Sequence, residues 1–201
     1  MHRTVLIFAK PPRMGLSKTR LARSLGSPTQ ARRIAVMTMA RTLRASLSGD
    51  RSGAWRTMLY AAPDSALQQS LGGLWPAHLT RRSQGRGDLT ARLDKGLSEA
   101  PPGPVLFIGS DAPDISPAHI RRAFRLLQTH SAIFGPASDG GFWLFGINKT
   151  HRTRSPNHNV RWSTPHAMED VWSNLPKGTK VGLLDELIDI DDAGDWETWR
   201  Q

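Results

Sequence analysis

No cysteine occurs among the 201 residues, which removes both a disulfide framework and any thiolate metal site. No apolar run approaches the roughly 20 residues a membrane span requires. The run inside "MHRTVLIFAKPPR" gives way to charge too soon for a secretory signal. Together these absences predict a soluble, cytoplasmic protein. Aromatic residues make up only 7% of the chain and do not interleave with the basic ones, so the pattern of a single-strand stacking platform is missing. Acidic residues are scarce as well, 17 against 27 lysines and arginines, for a formal charge of +10. That excess points to an anionic partner, a class that includes nucleotides, nucleic acid and acidic surfaces. Much of it sits in "QARRIAVMTMARTLRASL", where Val36, Met39, Leu43 and Leu47 keep helical spacing and leave Arg33, Arg41 and Arg44 on the other side. A solvated helix face explains that segment better than a nucleic-acid reader.

No repeat or low-complexity tract is visible, and the length fits one domain spanning residues 1–201. Apolar runs at 4–9, 56–62, 103–110, 131–137 and 141–147 read as strands. Between and after them, helical patterns run over 18–48, 64–71, 88–98, 117–129 and 164–174. Such alternation predicts an α/β protein, three layers deep, with a mostly parallel central sheet. Ligands in such sheets bind beyond the carboxyl ends of the strands. Three polar or glycine-rich segments fall at those ends: "AKPPRMGLSKTR", "GSDAPDIS" and "SDGG".

The first of these, within "FAKPPRMGLSKTRLA", resembles a phosphate loop without being a Walker A sequence. Glycines would be needed one and six places before Lys18, and Ser17 and Pro12 stand there. Two readings remain: an anion site at a helix start, strengthened by Lys18 and Arg20, or a solvated basic turn in which Gly15 serves only the backbone. In "IGSDAPDIS", Asp111 follows a buried strand beside Ser110 and is placed to face the crevice. A single carboxylate there suits Mg²⁺ or Mn²⁺, which take one or two protein carboxylates and complete their shell with phosphate and water. Ser116 is read as the cap of the helix beginning at Pro117. Asp139, followed by Gly140-Gly141, marks a hairpin turn of type I′, with the aspartate at positive φ, and lies near the same sheet edge. Asp88 is explained by capping the helix that carries Leu89, Leu93 and Leu97.

Elsewhere, "LIDIDDAGDW" alternates Ile188 and Ile190 with Asp189 and Asp191 like a short strand, with Asp192 capping a final helix. That segment is read as structural. Residues 148–159 form a polar, basic stretch read as a mobile loop near the site. Trp143 reads as core, and Trp196 and Trp199 as either a dimer contact or a packing edge.

Taken in order, "FAKPPRMGLSKTRL", "QGRGDLTARL", "IGSDAPDIS", "GPASDGGFWLFGI", "VRWST" and "LIDIDDAGDW" resemble a family of small bacterial proteins. These are described as radical-SAM/selenodomain-associated transferases or arsenosugar-biosynthesis-type glycosyltransferases. More distantly, the opening loop is similar to that of phospholactate guanylyltransferases. The resemblance implies the nucleotide-diphospho-sugar transferase (GT-A) fold, a nucleotide or nucleotide-sugar donor and a small-molecule acceptor. It assigns phosphate and nucleotide contacts to Lys10, Gly15, Lys18, Thr19, Arg20 and Ser110, a divalent metal to Asp111, and the acceptor side to Gly140, Gly141, Trp162 and Ser163. Ser17, where a small apolar residue is common, and Phe142-Trp143, in place of tyrosines, depart from that pattern without removing a charged contact.

The expected chemistry follows from charge. Cleaving a donor diphosphate concentrates negative charge on the departing phosphates, which Lys18, Arg20 and a metal on Asp111 would stabilise. Glycosyl transfer with inversion also needs a carboxylate base, for which Asp139 is the candidate. Nucleotidyl transfer to a phosphate needs none. A nucleic-acid-binding module, the reading from a different class, leaves Asp111 and Asp139 unexplained.

Overall fold

The computed structural model describes residues 2–201. Seven strands form one sheet: β1 (Thr4–Ala9), β2 (Arg56–Ala61), β3 (Thr80–Ser83), β4 (Gly103–Ile108), β5 (Ala132–Pro136), β6 (Phe142–Lys149) and β7 (Val181–Leu183). Their order is β3-β2-β1-β4-β6-β5-β7. All pairings are parallel except those of β6, which runs antiparallel to both β4 and β5. Helices α1 (Thr19–Ser24), α2 (Pro28–Arg51), α3 (Leu89–Glu99), α4 (Pro117–Leu126), α5 (Ala167–Ser173) and α6 (Ala193–Arg200) complete the chain.

A strand covered on both sides must be apolar at every position rather than at alternate ones, and "TVLIFA" meets that demand. Val5, Ile7 and Ala9 face a core with Met39, Leu43 and Leu47 of α2 and Ile120, Ala123 and Phe124 of α4. Leu6 faces the opposite core, with Leu93 and Leu97 of α3, Phe107, Phe134, Phe145 and Val171 of α5. A third, smaller cluster ties Leu21 of α1 and Ala31 and Ile34 of α2 to Ile190 near the C-terminal end. This is the three-layer architecture expected from the alternation.

Several boundaries differ from the sequence reading. The helix expected over 18–48 is two helices, because Gly26 turns at φ +62° and Ser27 then caps α2, with Pro28 at its first position. The helix expected at 64–71 is a 3₁₀ turn over Asp64–Ala66. Beyond it, Arg81 of β3 donates to the carbonyls of Leu67, Gln69, Trp75 and Pro76, bonds that serve a looped backbone in place of a helical one. Strands β3 and β7 were not expected: "TRRS" shows no apolar alternation, and three residues of β7 are too few to show any. The caps at Asp88, Ser116 and Asp192 are as expected, each side chain accepting from backbone N–H groups of the following turn.

Candidate functional site

At the carboxyl ends of β1 and β4 lies a cavity of about 410 Å³, lined by Phe8, Lys10, Leu16, Lys18, Thr19, Arg20, Gln84, Arg92, Ser110, Asp111 and Asp191, among others. Six of the residues singled out from sequence therefore meet at one place: Lys10, Lys18, Thr19, Arg20, Ser110 and Asp111. Gly15 stands in the same loop at φ +76° with open space around its α-carbon. It supplies the turn rather than a pocket wall.

The helix that follows the loop is shorter than expected. Six-residue α1 has no side-chain cap, and its N-cap is Lys18 itself, held in the left-handed region at φ 51°, ψ 40°. A short helix offers little dipole to an anion. The positive character of the cavity therefore rests on side chains, of which Lys10 and Arg20 are exposed.

Lys18 does not project into solvent. Its side chain is only 5% exposed, with Nζ 2.8 Å from Asp111 Oδ1 and 3.1 Å from Asp191 Oδ1, and it also donates to the carbonyl of Ile190. Burial works against its charge, but the Asp111 and Asp191 carboxylates outweigh that and hold its pKa above the usual lysine value. Arg20 reaches the other oxygen of Asp191 at 3.5 Å. Behind this pair stands Asp189, partly buried, whose pKa is pushed up to about 8 by desolvation and then by Asp111, with Lys18 opposing and Asp191 and Asp139 adding to the rise. No hydrogen bond reaches its carboxyl among the described residues.

"LIDIDDAGDW" thus belongs to the site, contrary to the structural reading given to it from sequence. It forms no strand beyond a single bridge between Leu187 and Ala137. Ile190 anchors it in the third core cluster, and the Ile190 N–H donates to the carbonyl of Asp111. The two aspartates flanking that buried isoleucine are carried to the sheet edge as a consequence. The signal was present in the sequence: aspartates on both sides of one apolar anchor, close to a capped helix. Gln84 was also missed. It is 4% exposed, and its amide donates to the carbonyls of Ala9 and Tyr60 at the ends of β1 and β2.

Asp139, Gly140, Gly141, Trp162 and Ser163 lie outside the lining of this cavity and build a neighbouring wall. Asp139 is exposed, and its Oδ1 accepts from the Gly141 N–H at 2.9 Å. The turn is not type I′, because positive φ falls on Gly140 alone, at +84°. The bonds Gly140 N–H to Ala137 O and Ala137 N–H to Gly141 O describe a three-residue hairpin loop with glycine at the left-handed position. A Cβ on Gly140 would lie 2.3 Å from the Pro165 carbonyl oxygen, so this turn packs directly on segment 160–166. There Trp162 Nε1 donates to Thr90 Oγ1, its ring meets Phe142 edge-on, and Ser163 sits at φ 60°. Arg161 donates to Asp170 side-on through Nε and Nη2, holding that carboxyl down at about 2.

Of the segment 148–159, expected to be a mobile loop near the site, residues 155–158 are anchored. Asp94 of α3 accepts from Ser155 and from Asn157 Nδ2, and Asn174 donates to the carbonyls of Pro156 and His158. Trp143 is core, 1% exposed. Trp196 and Trp199 stack on each other, with Arg41 over Trp199 and Trp199 Nε1 donating to Asp114. No group of three or more His, Asp or Glu side chains is arranged to hold a metal ion among the described residues, which leaves one or two protein carboxylates as the most a cation could use. No helix is long and apolar enough to cross a membrane among the described residues.

A model of a family described as an uncharacterized protein conserved in bacteria (DUF2064) matches residues 46–164, more than half of the chain. No curated protein matches it. Among solved structures, a candidate nucleotide-diphospho-sugar transferase from Desulfovibrio desulfuricans G20 superposes with a TM-score of 0.77 at 24% identity, covering 99% of this chain and 87% of the other. The 4-diphosphocytidyl-2C-methyl-D-erythritol synthase of Anaerococcus prevotii DSM 20548 gives 0.58 at 10% identity, over 98% and 95% of the two chains. The glucosyl-3-phosphoglycerate synthase of Mycobacterium tuberculosis, solved with Mn²⁺, UDP and phosphoglyceric acid, gives 0.58 at 10%, over 94% and 69%. At these identities the likeness is one of fold, and the fold is that of the nucleotide-diphospho-sugar transferases.

Proposed function

The chain belongs to that bacterial DUF2064 family, and from this premise we propose that it is a metal-dependent transferase acting on a nucleotide-diphosphate donor, most simply a glycosyltransferase that moves a sugar to a small acceptor. The observation that carries this reading is the cavity at the ends of β1 and β4, where exposed Lys10 and Arg20 stand beside the acidic pair Asp111 and Asp191. Cations alone would suit any anion. Carboxylates in the middle of them suit an anion that arrives with a divalent cation, because bare carboxylates repel phosphate.

Asp111 and Asp191 present oxygens about one ammonium position, a donor pair of hard oxygens that fits Mg²⁺ or Mn²⁺. When bound, the metal would supply neutralisation of the donor phosphates. Lys10, Lys18 and Arg20 would hold the diphosphate, Ser110 and Thr19 would offer it hydroxyls, and Gly15 would let the loop turn close to it. Gln84 and Arg92 also line the cavity and would face the nucleoside. Gly140, Gly141, Trp162 and Ser163 would face the acceptor. Asp139 is the candidate base for an acceptor hydroxyl.

The second reading, transfer of a nucleotidyl group to a phosphorylated small molecule with release of pyrophosphate, is favoured by one observation. Asp139 lies outside the cavity lining and is bonded to Gly141, and an acceptor phosphate is already ionised and requires no base. In either chemistry, removing one charge contact on the leaving phosphates costs about 3 kcal/mol of barrier.

A thermal-shift screen against nucleotide sugars, nucleoside diphosphates and triphosphates, each with and without Mg²⁺ or Mn²⁺, tests the proposal. A ligand at a hundredfold excess over its dissociation constant stabilises the native state by about 2.7 kcal/mol. Metal-dependent stabilisation by nucleotide sugars supports glycosyl transfer; preference for a triphosphate supports nucleotidyl transfer. No response to any of them would return the loop to a basic turn.

A further inference from the structure

Lys18 is an unusual phosphate ligand as it stands. A lysine meant to reach into a cavity is ordinarily exposed and mobile, yet this one is 5% exposed and contacts three acceptors, Asp111, Asp191 and the Ile190 carbonyl. Its backbone occupies a left-handed conformation that L-residues other than Asn and Asp rarely adopt. All three acceptors are oxygens, and two are ionisable. Oxygens surrounding a positive point are also what a hard divalent cation requires.

We infer that the Lys18 ammonium and a divalent cation are alternative occupants of one seat between Asp111 and Asp191. In the free protein Lys18 fills it. Metal enters as the ammonium leaves, and the released side chain, whose Cα lies in the loop lining the cavity, is taken up by the phosphates of the donor. Two cations cannot share Asp111 Oδ1 and Asp191 Oδ1 without strong repulsion. Metal and donor consequently bind as a coupled pair: each helps to move Lys18 toward the other. The donor half of this inference rests on the transferase reading, while the shared seat rests on the geometry alone.

Binding of Mn²⁺ to the full chain, followed by loss of the free-ion electron paramagnetic resonance signal with no nucleotide present, tests the seat directly. Lys18→Met should bind Mn²⁺ at least about tenfold more tightly than wild type, within the usual range of coupling between ligands. Equal or weaker binding by a folded Lys18→Met protein overturns the inference. If that variant does not fold, the wild type answers instead. The rate of Lys18 acylation, read by peptide mass spectrometry, should rise at saturating Mg²⁺ and fall again when a nucleoside diphosphate is added. A rate unchanged at saturating Mg²⁺ refutes the exchange. A rate that rises with Mg²⁺ but does not respond to any nucleotide leaves the seat standing and removes the transferase reading. Nucleotide binding in a protein whose Lys18→Met variant gains no Mn²⁺ affinity does the reverse.

Discussion

The cavity and the region beside it treat charge in opposite ways. In the region formed by the 10–20 loop, Asp111 and residues 189–191, Asp111 and Asp191 share the buried Lys18 ammonium, Arg20 reaches Asp191, and Asp189 is driven up to about 8. In the region formed by the 139–141 turn and segment 160–166, the main ion pair is complete: Arg161 meets Asp170 bidentately, Trp162 has Thr90, and Gly140 packs on the Pro165 backbone. A self-satisfied region can serve as a rigid surface. A cluster of carboxyl groups with one strongly perturbed member is the pattern of a candidate functional site.

The contrast predicts that substitutions in the charged cluster cost chiefly donor and metal binding, and that substitutions at the packed contacts of the second region cost chiefly stability. The largest effect is expected from Asp111→Ala. It should abolish metal-dependent nucleotide binding and lower turnover about 100-fold or more, while the thermal midpoint stays close to wild type because Lys18 keeps Asp191 and the Ile190 carbonyl. Parallel binding isotherms and melting curves check both halves, and equal nucleotide binding by mutant and wild type would remove Asp111 from the site. Next comes Gly140→Ala in the second region. Its Cβ meets the backbone of Pro165 rather than a side chain that could turn away, and its φ is +84°, so a loss of about 3 kcal/mol in stability is expected by chemical denaturation.

How much of this was legible in the sequence depends on whether a residue's role is local. Five of the seven strands were readable because both faces of the sheet are covered, which forces continuous apolar runs such as "TVLIFA" and "PVLFI"; β3 and β7 were not, being short and without such a run. Caps at Asp88, Ser116 and Asp192 were readable because the cap and its amide partners lie within three residues. Lys18, Arg20 and Asp111 could be gathered at one edge because parallel strands share a carboxyl end. Asp189 and Asp191 could not be gathered in the same way. Their place depends on Ile190 docking against α1 and α2, a contact between residues far apart in the chain, and their alternation with isoleucine imitates a strand. The break between α1 and α2 escaped for the opposite reason: "GSP" carries a complete stop and start signal, but the arginine-rich helical composition on both sides conceals it.

A third, smaller effect concerns pH. Asp189 has a folded-state value near 8 against an ordinary carboxylate value near 3.9 in the unfolded chain. A group raised in this way favours the native state fully below about 4, and its contribution is lost as pH climbs through about 8. The metal-free protein should therefore melt at progressively lower temperature between those limits. Asp189→Asn should flatten the slope, since the amide cannot ionise. Identical slopes for both proteins would mean that Lys18 already neutralises the cluster.

The smallest effect, and the sharpest test of the contrast, is expected from Arg161→Ala. The Arg161–Asp170 pair is solvent-exposed in its guanidinium, and exposed pairs contribute little even when bidentate. Asp170 is held down at about 2 chiefly by its hydrogen bonds from Arg161. A depressed carboxylate stabilises the fold above its unfolded value and loses that contribution as pH falls toward 2, so at neutral pH the pair contributes in full. Arg161→Ala should lower the melting temperature slightly at pH 7 and leave it unchanged near pH 2. Nucleotide and metal affinity should match wild type, because this charge is already spent within its own region. A marked loss of nucleotide binding would show instead that segment 160–166 reaches the donor, and the contrast between the two regions would not hold.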